Sequence, residues 1–234
     1  MRGKWFRWGL AVGLVVAMGN LCGCGMLLMQ PSTVDWTDGT EPTKAPAIFV
    51  EFPHTLTDSA LVIEEVVRYQ GRFWEDGSGE MVEGVAGIML YNPTARMVEF
   101  EAIALEQEGE TLYFFAYQLP PMSRCLVLER NKNAPIQVTA CRELSTQWYH
   151  HELSREQVDY VGLGPTLTLV NRDSRQQDHI TVRYKQYVKE GDYYLGGVAY
   201  SAHLFCLQPE ERRTVTPEHY YAGKAKIVSI VVNE

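Results

Sequence analysis

The sequence predicts an all-β protein in which two antiparallel β-sandwiches follow an N-terminal signal or anchor helix. Short runs of β-branched and aromatic residues alternate with Gly, Pro, Asn and Asp turn signals, which is typical of sandwiches. The stretch Val98–Glu110 recurs as Ile180–Asp192 at a constant offset of 82 residues. The chain also begins with a basic segment and an apolar run, the pattern of a secretion leader.

The repeat extends beyond those two stretches. Ile88–Asn92 and Leu167–Asn171 both read as strands that end on Asn, at an offset of 79 residues. Leu119 and Leu207 each stand shortly before a Pro, at an offset of 88. Six extra residues therefore lie between Gly191 and Leu207, where we expect a longer hairpin.

The first module is predicted at residues 47–142. The Asp76-Gly77 dipeptide indicates a hairpin turn between two strands. The runs Cys125–Glu129 and Ile136–Cys141 flank a polar loop, and we expect them to form the last hairpin of this module. No long stretch of this half has the period of a helix.

The strand that starts the repeat alternates between apolar and acidic residues. Val98, Phe100 and Ala102 fall on one face, and Glu99 and Glu101 fall on the other. Period-2 alternation is the mark of a half-buried strand, so we expect the apolar face in the core and the acidic face in water.

A linker with a short helix is predicted at residues 143–162, between the modules. This stretch is the least strand-like part of the chain, and Ser154 with Gln157 fits a helix capping box. The second module is then predicted at residues 163–234.

The N-terminus predicts the compartment. Met1–Arg7 is basic, Trp8–Met18 is an apolar run, and Leu21–Cys24 resembles the lipobox of bacterial lipoproteins. The resemblance implies that residues 1–24 are a lipoprotein signal peptide and that Cys24 is the lipidated N-terminus. An uncleaved membrane anchor and plain secretion are the alternatives.

Residues 25–46 are rich in Pro, Thr, Asp and Gly, which is typical of a flexible tether. With this tether, we expect the folded part to stand outside the cytoplasm, anchored to the cell membrane by the lipid or the helix. The formal net charge of −8 argues against nucleic acid as a partner, because binding to phosphates needs a basic face.

The order of strands and turns in the repeat resembles the FxLYD-type immunoglobulin-like modules of bacterial extracytoplasmic proteins. Tyr184, Tyr187 and Gly191 stand at the Phe, Tyr and Gly positions of that motif, while the first module keeps only its Gly109. The resemblance implies two tandem immunoglobulin-like sandwiches without enzymatic activity.

Candidate reactive residues are few. Cys125 and Cys141 would face each other across the predicted hairpin, so they form either a disulfide or two buried thiols. Cys206 lies in an apolar run, and we expect it in the core. The adjacent His150 and His151 point in different directions on a helix or a strand and make a poor metal site.

A cluster of tyrosines is the best candidate for a binding surface. Tyr193 and Tyr194 lie in the inserted hairpin, with Tyr187 on the strand before it, and these side chains either pack in the core or contact a protein or a glycan. We expect a binding or accessory protein with no catalytic site, metal or cofactor. Its partner would be an unknown envelope protein, a cell-wall glycan is the alternative, and a hydrolase is the less favoured reading.

Overall fold

The structure is a computed structural model that describes residues 49–149 and 156–232. The all-β prediction is confirmed for these residues. Among them, no helix is long and apolar enough to cross a membrane. The predicted leader at residues 1–24, the lipidation site Cys24 and the tether at residues 25–46 lie outside the described part of the chain.

Thirteen strands account for most of the described residues. The first seven are β1 (His54–Thr55), β2 (Val62–Arg72), β3 (Met81–Asn92), β4 (Val98–Gln107), β5 (Glu110–Leu119), β6 (Ser123–Leu128) and β7 (Val138–Trp148). The other six are β8 (Val158–Leu163), β9 (Thr166–Asn171), β10 (Gln177–Val188), β11 (Tyr193–Leu207), β12 (Arg212–Val215) and β13 (Ala225–Val232). We call β1–β7 the first module and β8–β13 the second module.

The strands form three sheets. A seven-stranded sheet in the order β1-β2-β3-β6-β11-β10-β13 contains strands of both modules. A three-stranded sheet β5-β4-β7 belongs to the first module, and another, β12-β9-β8, belongs to the second. Among these strands, every neighbouring pair is antiparallel except β6 and β11, which run parallel.

The strand pairing of the first module recurs in the second. β4 lies between β5 and β7, as β10 lies between β11 and β13. β3 lies between β2 and β6, as β9 lies between β8 and β12. β4 begins at Val98 and β10 contains Ile180, so the strands that correspond in pairing are also those that the sequence repeat aligns.

Two buried asparagines mark the same corner in each module. The Nδ2 of Asn92 donates to the carbonyl oxygens of Arg96 at 2.8 Å and Leu119 at 3.3 Å. The Nδ2 of Asn171 donates to the carbonyl oxygens of Arg175 at 2.8 Å and Leu207 at 2.9 Å. In both modules the amide closes the turn after one strand and ties it to the end of another. These bonds explain why both strands end on Asn.

Each module has an apolar core between its sheets, which gives a β-sandwich-like packing. The first core includes Ile88 and Val127 from the seven-stranded sheet and Ile103 and Leu112 from the β5-β4-β7 sheet. The second core packs Leu167 and Leu169 of β9 against Ile180 and Val182 of β10 and Ile230 of β13.

The two three-stranded sheets lie on opposite faces of the shared sheet. Along β10, Ile180, Val182 and Tyr184 point into the second core. The next residue, Lys185, points the other way and reaches the carbonyl oxygen of Tyr117 on β5. Since side chains alternate between the faces of a strand, β5 must cover the face of β10 that the second core leaves open.

The inserted residues join the modules. β11 is 15 residues long, whereas its counterpart β5 has 10. The extra length pairs with β6, in the register Tyr193 to Arg124, Tyr194 to Cys125 and Leu195 to Leu126. The predicted longer hairpin is thus an extension of β11, and its pairing with β6 joins the strands of the two modules into one continuous sheet.

The linker predicted at residues 143–162 is wrong at both ends. β7 continues to Trp148, because its residues pair with β4 as far as Val98. β8 already begins at Val158. Long-range pairing overrides the weak strand propensity of this stretch. The predicted cap Ser154 lies outside the described residues.

The last hairpin predicted for the first module is also wrong. β6 pairs with β3 and β11, whereas β7 pairs with β4, so the two strands lie in different sheets. Cys125 and Cys141 are consequently free thiols rather than a disulfide. The chain crosses between the sheets after Glu129 and does not turn back on itself. Cys206, expected in the core, is free and exposed.

We predict that Asn92→Ala and Asn171→Ala each lower the free energy of unfolding by about 1–3 kcal/mol, because buried carbonyl oxygens lose their donor. Guanidinium denaturation of the full-length protein measures the change. Asn131→Ala, at an exposed asparagine, is the control and should change the free energy by less than about 0.5 kcal/mol. Equal effects at all three positions would contradict the role of the two corners.

Candidate functional site

A cleft of about 880 Å³ lies between the two modules. One wall is the outer face of the β5-β4-β7 sheet, and the other is formed by β10 and β11 of the shared sheet. Residues of the loop between β2 and β3 and of the segment after β6 also line it. Ligand pockets of roughly 300–1,000 Å³ are common at such junctions, so this cleft is the candidate site.

The wall on the first module is aromatic. On β5, Leu112, Phe114 and Ala116 point into the core, so Phe115 and Tyr117 point outward into the cleft. Phe100 of β4 lies beside them and also points into the cleft. Its ring centre is 6.1 Å from that of Phe115 and 4.9 Å from that of Tyr117. The planes of Phe100 and Phe115 differ by only 13°.

Polar side chains surround the aromatic wall. The guanidinium carbon of Arg130 lies 5.2 Å from the centre of the Phe115 ring. On the opposite wall, Nη1 of Arg183 donates to the hydroxyl of Tyr149 at 3.4 Å. Six further polar residues line the cleft, namely Glu75, Asp76, Glu99, Gln118, Gln147 and Ser201.

A buried lysine fixes the two walls to each other. Lys185 has no exposed surface, and its ammonium group donates to the carbonyl oxygens of Tyr117 at 2.8 Å, Gly197 at 2.7 Å and Val198 at 3.0 Å. Three acceptors match the three protons of an ammonium group. Burial lowers the pKa of Lys185, and the nearby Cys125 and Glu75 act in the opposite direction.

Glu75, in the loop between β2 and β3, makes the complementary connection. Its Oε1 accepts from the backbone nitrogens of Leu128 at 2.7 Å and Gly197 at 2.8 Å, so it too joins the modules. Burial raises the pKa of Glu75, while the bonds from Gly197 and Leu128 and the charge of Lys185 lower it. Gly197 sits so close to β5 that a Cβ there would lie 1.8 Å from the carbonyl oxygen of Phe115.

Cys125 lies in the same buried junction. Its Sγ donates to the carbonyl oxygen of Gly196 at 3.1 Å. Burial raises the pKa of Cys125 to about 11, so the group stays a thiol at neutral pH and is a weak nucleophile. The three reactive groups beside the cleft, Lys185, Glu75 and Cys125, are all bound to the backbone and hold the modules together.

The predicted tyrosine surface is wrong for Tyr194. That side chain is only 9% exposed and belongs to the core of the first module, with Tyr187 packed against it. Tyr193 packs on a separate cluster that includes Phe73 and Leu126. The inserted strand pairs with β6, and this pairing buries the residues that a free hairpin would have exposed. Tyr187, Tyr193 and Tyr194 do not line the cleft.

The histidines are possible metal ligands, and the structure describes only some of them. His150 and His151 lie outside the described residues. His179 on β10 and His203 on β11 come together, with 3.2 Å between Nε2 of His179 and Nδ1 of His203. Within the described ranges, no group of three or more His, Cys, Asp or Glu residues is placed to hold a metal ion.

A second polar cluster lies on the inner side of the β5-β4-β7 sheet. Glu101 is fully buried, and its Oε2 accepts from Oγ1 of Thr146 at 2.8 Å. The same hydroxyl lies 2.8 Å from Oε1 of Glu143, and one proton cannot serve both carboxylates. Burial, with a smaller contribution from Glu143, raises the pKa of Glu101 to about 8, and the Thr146 bond opposes the shift. A protonated Glu101 fits this geometry.

Sequence alternation assigned Phe100 to the core and Glu101 to water, and the structure reverses both. The pairing of β4 with β7 shifts register between Val98 and Phe100. Such an irregularity changes which face the following residues occupy. Phe100 therefore reaches the cleft and Glu101 turns inward. Nothing in the local sequence marks this shift, because its cause is the partner strand.

We predict that Lys185→Met lowers the free energy of unfolding by about 3–5 kcal/mol, because three carbonyl oxygens lose their hydrogen-bond donor and Glu75 loses the neighbouring positive charge. Guanidinium denaturation followed by tryptophan fluorescence measures the loss. Lys189→Met, on the exposed turn after β10, is the matched control. A loss as small as that of Lys189→Met would show that Lys185 does not hold the junction.

We predict that stability falls as the pH rises from about 4.5 to about 8, because over this range folded Glu101 keeps a proton that the unfolded chain releases. Glu101→Gln should flatten this slope and raise the free energy of unfolding at pH 8.5 by about 1–3 kcal/mol. Urea denaturation at a series of pH values tests both effects. Glu108→Gln, in the exposed turn after the same strand, should leave the slope intact.

Comparisons of the chain with protein-family models, with curated proteins and with solved structures found no match. The resemblance to FxLYD-type modules therefore stays a prediction, carried by Tyr184, Tyr187 and Gly191.

Proposed function

We propose that this chain is a membrane-anchored, extracytoplasmic binding protein with no catalytic site. In this proposal its two modules are tandem immunoglobulin-like sandwiches, and a component of the cell envelope binds in the cleft between them. The observation that carries the proposal is the cleft itself, which has an aromatic wall and surrounding polar residues, and whose two walls belong to the same chain.

The compartment in this proposal rests on the leader. The basic start, the apolar run and the sequence Leu21–Cys24 are the features from which we infer export and lipid anchoring. The tether at residues 25–46 would hold the modules away from the membrane surface. A cleft on such a stalk can reach ligands in the envelope.

The rigidity of the cleft supports a binding role. Lys185 and Glu75 each bond to both modules, so the distance between the walls is set before any ligand arrives. A preformed site loses little conformational entropy on binding, which favours affinity. By contrast, a hinged pair of modules would have to be ordered by the ligand.

The chemistry of the cleft supports binding rather than catalysis. Catalytic groups need a polar atom directed at the substrate. The polar atoms of Glu75 and Lys185 form hydrogen bonds with backbone groups, and Cys125 is buried as a thiol. What faces the cleft is an aromatic wall with arginine, glutamine and glutamate around it.

We predict that a photoreactive phenylalanine analogue placed at Tyr117 captures an envelope component, because that side chain faces the cleft. The full-length protein is expressed in cells and irradiated, and the adducts are then separated by mass. The same analogue at Tyr113 is the matched control, since both residues lie on the outer face of β5 and are 40% and 38% exposed. Tyr113 does not line the cleft.

The proposal requires an adduct at position 117 that is absent or much weaker at position 113. Equal labelling at both positions would mean nonspecific contact with the envelope. The absence of any adduct at position 117 would show that the cleft is not a binding site in the cell.

A further inference from the structure

We propose that the ligand of the cleft is a glycan, whose sugar rings lie on the aromatic wall formed by Phe100, Phe115 and Tyr117. This inference rests on the proposed function and adds the chemical class of the ligand. A peptide or protein partner is the competing class, and the experiment below separates the two.

The aromatic wall has the geometry that sugar rings require. Phe100 and Phe115 have nearly parallel planes, 13° apart, with ring centres 6.1 Å apart, and Tyr117 lies beside Phe100, so the three rings form an aromatic platform on one face of the sheet. The guanidinium carbon of Arg130 lies 5.2 Å from the centre of the Phe115 ring and covers part of its face, so Tyr117, which is 40% exposed, offers the most accessible ring of the wall. Aromatic faces carry partial negative charge and attract the C–H groups of a sugar ring.

The polar groups around the platform suit a polyhydroxyl ligand. Arg130, Arg183, Glu99 and Gln147 carry planar groups that offer two donors, two acceptors or, in the amide of Gln147, one of each. Such pairs match neighbouring hydroxyls on a ring, each of which both donates and accepts. A ligand that only accepts, such as a polyphosphate, would meet unfavourable carboxylates here.

The charges of the cleft also argue against a strongly anionic polymer. Asp76 is paired with Lys132 at 3.4 Å, and Glu75 is bound by backbone nitrogens. The other ionic side chains that line the cleft are of both signs, with Arg130 and Arg183 positive and Glu99 negative. A largely uncharged chain of rings fits this mixture better than nucleic acid does.

The cleft is poorly built for an extended peptide. Peptides often bind by adding a strand to a free sheet edge, and β5 is the edge strand that contributes most residues to the cleft. The carbonyl oxygen of Tyr113 already accepts from the nitrogen of Arg130 at 3.0 Å, and the nitrogen of Tyr113 donates to Glu129 at 3.3 Å. The carbonyl oxygen of Tyr117 is bound by Lys185. Strand addition at this edge is therefore blocked.

The test uses the full-length protein in detergent and three preparations from the envelope of the source organism. The first is untreated envelope, the second is envelope stripped of protein by detergent and protease, and the third is the extracted protein fraction without glycan. Co-sedimentation measures binding to the first two, and affinity capture measures binding to the third. A glycan ligand predicts saturable binding to the first and second preparations only.

Two variants connect that binding to the wall. Tyr117→Ala should weaken binding to the stripped envelope by about tenfold, because it removes one stacking surface. Tyr113→Ala, on the same strand and face, should change it by less than about twofold. Arg130→Gln should also weaken binding, whereas Arg142→Gln should not, because Arg142 lies on β7 outside the cleft and pairs with Glu106 at 2.8 Å. Unchanged denaturation midpoints verify that each variant is folded.

The outcomes separate the two proposals. Binding to the protein fraction alone, or loss of binding after protease treatment, would overturn the glycan assignment and leave the cleft as a protein-binding site. Equal binding by Tyr117→Ala and wild type would place the glycan elsewhere and overturn the inference. No binding to any preparation, together with no photoadduct at position 117, would overturn the proposed function as well.

Discussion

The junction between the two modules depends on one buried ammonium group. Lys185 leaves water completely, which would be very unfavourable for an isolated charge. Three carbonyl oxygens from both modules compensate for that loss, and no smaller or neutral side chain offers three donors at once. The geometry of the junction is therefore set by the demands of a charge, whereas apolar packing alone would tolerate sliding. The cleft inherits its fixed shape from this constraint.

Much of the architecture could be predicted from the sequence because strands and turns leave local signals. The offsets of 79, 82 and 88 residues correspond to strands with matching neighbours, and the two asparagines at the start of that alignment, Asn92 and Asn171, make matching bonds. The Asp76-Gly77 turn lies between β2 and β3, which pair as an antiparallel hairpin. These features depend on residues that are close together in the chain or on a pattern that occurs twice.

The site could not be predicted, because its residues acquire their roles through distant partners. In the sequence, Lys185 has the pattern of a residue on the exposed face of a strand, but in the structure β5 covers it. Phe100 and Glu101 exchange faces through a register shift against β7, which their own alternation hides. Tyr194 resembles a residue of an exposed insertion, yet it packs in the core of the other module. In each case the missing information is the identity of the strand that lies alongside.

The parallel pairing of β6 with β11 has a consequence for the biosynthesis of the chain. β6 ends at Leu128 and β11 begins at Tyr193, and 64 residues stand between these two positions. At a synthesis rate of about 5–20 residues per second, the second strand arrives on the order of several seconds after the first. During that interval the first module presents an apolar strand with an unpaired edge, the kind of surface that recruits other chains. The same joint that makes the finished protein rigid therefore leaves the unfinished chain dependent on protection until β11 has been made.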